Sequence, residues 1–124
     1  MEQKFLYHFD SQTGIVYKNY YGKITIDDIE NSWIYAFEQN LFPPNTIGFI
    51  LDYREASFEI SIEEYIKIPL FYTQHLDVFG GKKIAIVTDN PKDVVIPVLV
   101  QKKDKGYASQ PFSTVEAAIY WVLH

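Results

Sequence analysis

The sequence predicts an α/β fold: a mixed, mainly parallel β-sheet that opens with an antiparallel hairpin and carries about four helices, in the order ββαβαβαβα. Three observations predict it. Two short runs of alternating character, Gln3 to Phe9 and Ile15 to Tyr21, flank a turn that ends in glycine. Two almost wholly apolar runs, Ile47 to Leu51 and Lys83 to Thr88, have the character of central strands covered on both faces. Segments with helical periodicity and cap signatures separate and follow them.

In the first run Phe5, Tyr7 and Phe9 share one face and Leu6 and His8 the other. Asp10 to Gly14 turns the chain, and the second strand is expected to end at Gly22 and Lys23. Thr25 is an N-cap candidate with Asp28 three residues on, a capping box that also puts acid at the positive end of the helix dipole. Ile26, Ile29, Trp33, Ala36 and Phe37 form the buried stripe, and Phe42-Pro-Pro-Asn45 stops the helix. After the central strand, Ser61 with Glu64 reads as a second capping box. Ile62, Tyr65, Ile66, Pro69, Thr73 and Leu76 then fall on one face, and Pro69 is expected to kink that helix. Gly80-Gly81 closes the segment. Its resemblance to half a phosphate loop fails on order, because it leads into a strand instead of joining strand to helix. Asn90-Pro91 is a helix start. Val94 to Val100 is β-branched and contains Pro97, so propensity alone favours a strand, but the Asn-Pro start and the alternation around it favour a kinked helix. Tyr107 to Phe112 is a short edge strand. Ser113 or Thr114 caps the last helix, which contains Glu116, Ala117, Ala118, Tyr120, Trp121 and Leu123.

Composition narrows the classes of function. At 124 residues and 48% hydrophobic the chain fits one domain, residues 1–124, with one core. Ten Tyr and nine Phe exceed what so small an interior absorbs, so some aromatic surface is expected outside. A net charge of −5 argues against non-specific binding to nucleic acid or anionic membrane. The absence of cysteine removes disulfides, thiol chemistry and thiolate metal sites. Met1 to Asp10 lacks the apolar core of a signal peptide, and no apolar run approaches the ~20 residues of a membrane span, so a cytoplasmic location is expected.

Four segments, in order, carry a resemblance to a known family. Tyr21-Gly-Lys-Ile-Thr-Ile-Asp-Asp28 resembles the strand-to-helix passage of SpoIIAA-like proteins, and Phe49-Ile-Leu-Asp-Tyr53 their central strand ending in Asp. Lys83-Ile-Ala-Ile-Val-Thr-Asp89 resembles the next strand. Phe112-Ser-Thr-Val-Glu-Ala-Ala-Ile-Tyr-Trp-Val-Leu123 resembles the terminal helix of the STAS/SEC14-like branch. Together they span most of the chain. The resemblance implies a SpoIIAA-like (STAS) fold and a module that works by binding, as anti-sigma factor antagonists do when they dock on a kinase-like partner and are switched by phosphorylation of a serine. That serine lies in a D-S-S-G segment. The matching segment here is Phe58-Glu-Ile-Ser-Ile-Glu-Glu-Tyr65, where Ser61 stands near the switch position, Ile60 replaces the Asp and an acidic residue replaces the Gly.

Each candidate residue has a structural reading beside the functional one. Ser61 is a candidate phosphosite, although Glu59, Glu63 and Glu64 would repel a phosphate, and a helix cap explains it better. Asp52, Arg54 and Glu55, with Asp89 and Asn90 from the next strand, form a candidate ligand rim at strand C-termini, although loop salt bridges and helix caps explain them better. No nucleophile accompanies the acids. His8, His75 and His124 have no metal-ligand spacing. Ile68, Phe71 and Val78 point away from the expected buried stripe and, with Ser61 and Glu64, form the candidate partner surface. Tyr17, Tyr20 and Tyr21 read as strand packing more than a ligand cage. The resulting expectation is a non-enzymatic binding or regulatory module without a cofactor, engaging a protein partner or a second copy in a bacterial signalling context. The alternative is a small apolar-ligand or lipid carrier with aromatics around a pocket between sheet and helices. An enzyme using Asp52 and Asp89 ranks last.

Overall fold

The computed structural model describes residues 3–124. It has five strands and the expected order. The strands are β1 (Phe5–Asp10), β2 (Ile15–Ile24), β3 (Gly48–Phe58), β4 (Lys83–Val87) and β5 (Ala108–Phe112). The helices are α1 (Ile26–Glu38), α2 (Lys67–Gln74), α3 (Leu76–Phe79), α4 (Val95–Gln101) and α5 (Val115–Leu123), with a 3₁₀ turn over Pro91–Val94 ahead of α4. The sheet order is β1-β2-β3-β4-β5; β1 and β2 are antiparallel and every other pair is parallel. Because each parallel strand is added beside the last, right-handed crossovers place α1, α2–α3 and α4 on one face. The chain returns over the other face as α5.

The pleat divides the core accordingly. Val16, Tyr20, Phe49, Leu51, Tyr53, Ile84 and Ile86 meet Ile29, Trp33, Ile68, Tyr72, Phe79 and Ile96 on the thick side. Ile15, Ile50, Ala85 and Val87 meet Ala118 and Val122 under α5. Gly48 makes that second contact close: a Cβ there would lie 2.7 Å from Val122 Cγ1 and 2.8 Å from the Lys83 carbonyl.

The Thr25 capping box forms as expected. Thr25 Oγ1 accepts from the Asp28 N–H at 3.1 Å, and the Asp28 carboxylate accepts from the Thr25 N–H at 2.9 Å. Val94 to Val100 is helical, entered through Asn90, whose side chain accepts from the Lys92 N–H.

Other expectations are corrected. Strand β2 runs past Gly22 and Lys23 to Ile24, and β3 past Leu51 to Phe58, because the two lengthen each other by pairing as far as Ile24 with Phe58. Pro69 kinks nothing: it is the third residue of α2, a first-turn position where the missing N–H has no helical partner to lose. The break comes at His75 (φ −127°), which ends α2 and starts α3. Ser61 does not cap α2, because that helix begins at Lys67 and residues 61–66 are successive turns.

Candidate functional site

The strands carry two features: a polar cleft beside the middle of β2 and β3, where both run on past the end of β4, and the turn segment that leads from β3 into α2.

In that stretch, β2 and β3 slip register between Asn19–Asp52 and Tyr21–Glu55, so β3 holds one residue more than β2 across the slip. Strand β4 stops at Val87, leaving that irregular stretch as an open ledge. A cleft of about 290 Å³ there is lined by Asn19, Tyr21, Asp52, Arg54, Glu55 and Asp89. The Arg54 guanidinium donates to Asp52 through Nε at 3.0 Å and Nη2 at 2.7 Å, and the Arg54 N–H donates to the same carboxylate at 3.0 Å. Partial burial pushes the Asp52 carboxyl up, but the Arg54 hydrogen bonds and charge outweigh it and hold the group below its ordinary value. Asp52 is therefore an ionised, tethered carboxylate at neutral pH, poorly suited to donate a proton. Asp52, Arg54, Glu55 and Asp89 line one cleft, but Asp52, Arg54 and Glu55 sit within β3 and not at its C-terminus, because the strand continues to Phe58. Asn90 does not line the cleft; its side chain caps the turn before α4. On the other side of the Asp52–Arg54 pair, His8, Asp10, Tyr17 and Val115 flank a shallower recess that the sequence reading did not assign.

The second feature reverses the expected partner surface. Ile68 and Phe71 are buried, and Val78 is half-buried. Phe71 stacks parallel to Phe37 with ring centroids 6.3 Å apart. Of the face expected to be buried, Ile62 is 64% exposed, Ile66 44% and Leu76 42%, Tyr65 and Thr73 are half-buried and only Pro69 is buried; Leu70, outside that expected stripe, is 53% exposed. The segment is apolar on both faces, so periodicity alone did not choose between them. Counting from Ser61 also set the wrong phase, since the helix begins at Lys67. Ser61 is exposed, and its hydroxyl and N–H both donate to Glu64 Oε1 at 3.1 Å. A phosphate there would meet the Glu64 carboxylate without a helix N-terminus to receive it.

The aromatics are mostly core. Tyr20 stacks on Tyr53 at 4.2 Å, so Tyr20 belongs to strand packing as expected. The space between β3, α2 and α4, lined by Leu51, Tyr53, Phe58, Ile68, Tyr72 and Ile96, is only about 20 Å³, room for about one water. The sequence reading missed Lys18, which is fully buried. Its Nζ lies 3.8 Å from the Trp33 ring centroid and 4.5 Å from that of Tyr20, and it donates to Ser32 Oγ. The alternation Val16, Lys18, Tyr20 was the available signal, because it puts the lysine on the core face.

This arrangement, a hairpin-led parallel sheet with three crossovers on one face and a terminal helix on the other, is a SpoIIAA-like fold. The chain is similar to an uncharacterised DUF3478-family protein with a SpoIIAA-like fold from Shewanella loihica PV-4, with TM-score 0.64 and 16% identity over 95% of this chain and 91% of that one. It is also similar to the anti-sigma factor antagonist SpoIIAA in its unphosphorylated form, with TM-score 0.53 and 15% identity over 95% of this chain and 96% of that one. No family model matches the chain, and no curated protein matches it.

Proposed function

We propose that this chain is a non-enzymatic regulatory module that binds a protein partner through the outer face of α2 and the turns before it. The observation that carries this reading is the exposed stripe Ile62, Ile66 and Leu70, spaced four residues apart on one side of the segment. Glu59 and Glu63 stand exposed beside it, and the chain as a whole carries a net charge of −5. The fitting occupant is a protein surface with an apolar groove and a basic rim. An anti-sigma factor antagonist among the similar structures supports a protein-binding role. The non-enzymatic reading is supported by Asp52, the best-placed acid of the cleft, being tied to Arg54.

The test uses the partner recovered from the native cell, then purified. Binary titration with L70D and I66D is expected to weaken binding by about 10-fold to 100-fold, the usual cost of losing a central apolar anchor. Y120D on α5 serves as the exposed control. Unchanged affinity for both stripe variants would sink the proposal.

A further inference from the structure

The two edges of the sheet are finished differently. On β5 the Ala108 N–H donates to the Lys82 carbonyl at 3.1 Å, and the Phe112 carbonyl accepts from Thr88 at 3.0 Å. Ala108, Gln110 and Phe112 therefore face β4, and Ser109 and Pro111 face out. Neither offers a free donor. The Ser109 N–H is taken by the Asp104 carboxylate at 2.6 Å, and Pro111 has no N–H. That edge is closed to a further strand.

Strand β1 has no such protection. The Lys4 carbonyl accepts from the Tyr21 N–H at 2.8 Å, which sets the phase of the ladder. Leu6 and His8 turn their N–H and C=O groups toward β2, so Phe5, Tyr7 and Phe9 turn theirs outward. Among the described residues no strand lies beyond them. The run Phe5–Asp10 contains no proline, lysine or register slip, the usual devices that blunt an edge.

We propose that the β1 edge pairs with β1 of a second copy, antiparallel and two-fold about Tyr7, joining the two sheets. The sequence of the strand selects this register. Outward-facing residues must pair with outward-facing residues, so the two-fold must pass through a residue and not between two. Centred on Tyr7, Phe5 faces Phe9 of the second copy, Leu6 faces His8, and Lys4 faces Asp10 at both ends. Centred on Leu6, Lys4 meets His8 and the strands overlap less. Centred on His8, Phe5 meets Ser11 in the hairpin turn. Only the Tyr7 register pairs the full span and sets opposite charges across it. Lys4 holds Asp28 and Asp10 holds Thr13 within each chain, so these charges attract across the pair without releasing those contacts.

The rings favour the same occupant. Phe5, Tyr7 and Phe9 stay half-buried on the helix side of the edge, with the exposed Tyr35 ring 5.8 Å from Phe5. A second copy would lay its own Phe9, Tyr7 and Phe5 alongside. A single short strand pair is a small interface, so the association is concentration-dependent.

Sedimentation and light scattering over concentrations up to about 1 mM test this directly. The wild type is expected to shift from the 14.5 kDa monomer toward a dimer. Leu6 and His8 are exposed and point to the face opposite α1, so L6K/H8K keeps the fold, as circular dichroism would verify. It sets like charges across the two-fold and is expected to weaken the dimer about tenfold or more. L6E/H8E does the same, and mixing the two variants is expected to restore a dimer. A wild type monomeric throughout, a dimer indifferent to L6K/H8K, or a mixture that stays monomeric overturns the proposal. L70D is expected to leave the dimer unchanged, which separates this edge from the α2 surface.

Discussion

Lys18 has no exposed surface and, among the described residues, no carboxylate as a hydrogen-bond or ion-pair partner. Its amine meets aromatic rings and the Ser32 hydroxyl, which together replace only part of the hydration that burial removes. Burial therefore pushes its pKa well below the ordinary 10.5. The unfolded chain holds that proton up to about 10.5 while the folded chain has already released it, so the unfolded state binds more protons across the window between the two values. Lys18 thus makes stability rise with pH from its depressed folded value up to about 10.5 and weighs fully against the fold below that window. Buried tyrosines act oppositely: burial raises Tyr20 and Tyr53 above their ordinary value of 10.0, so stability falls as the unfolded phenols ionise. The difference between wild type and K18M isolates the lysine. K18M is expected to be more stable by about 1–3 kcal/mol at neutral pH, with an advantage that shrinks toward pH 10.5 in urea melts across pH. A variant no more stable than wild type, or a gap flat in pH, would contradict this.

At the scale of the element, α2 is the instructive case. Phe71 and Leu70 are adjacent, yet Phe71 is 6% exposed and Leu70 53%. F71D places a charge among Phe37, Tyr72 and His75 and is expected to cost about 3 kcal/mol or more. L70D is expected to change stability by no more than about 0.5 kcal/mol. Chemical denaturation of the two variants checks this, and equal losses would mean the faces are not as described. The same helix shows where sequence reasoning reached its limit. The Thr25–Asp28 box at α1 was legible because cap, acid and one apolar stripe agreed. At Ser61–Glu64 only half of the pattern forms, the helix starts six residues later, and apolar residues on both faces left the inward side undetermined.

At the scale of the whole molecule, edges govern assembly. Asp104 and Pro111 close β5, and their value lies in preventing pairing as much as in stability. Burial raises the Asp104 carboxyl, against the hydrogen bonds of Ser109, which favour its ionised form. D104A/P111V is expected to reopen that edge and carry self-association beyond a dimer, visible as a concentration-dependent rise in scattering mass. Asp104 also holds Ser109 Oγ, so a loss of about 1 kcal/mol accompanies it. Unchanged association would show that these two residues do not guard the edge. No helix of the described residues is long and apolar enough to cross a membrane.

By itself the sequence determined the fold class, the strand and helix order, the hairpin and the α1 cap. Each rests on local signals, such as period, turn residues and caps, that need no distant neighbour. Tertiary structure alone decided which side of α2 faces the sheet, that Lys18 is enclosed by rings from β1, β2 and α1, and which sheet edge is left open. Those depend on what the rest of the chain lays against a residue. A pattern equally apolar on two faces carries no such information, and the alternation around Lys18 gives its face but not the rings that close over it, until the sheet and its crossovers are assembled.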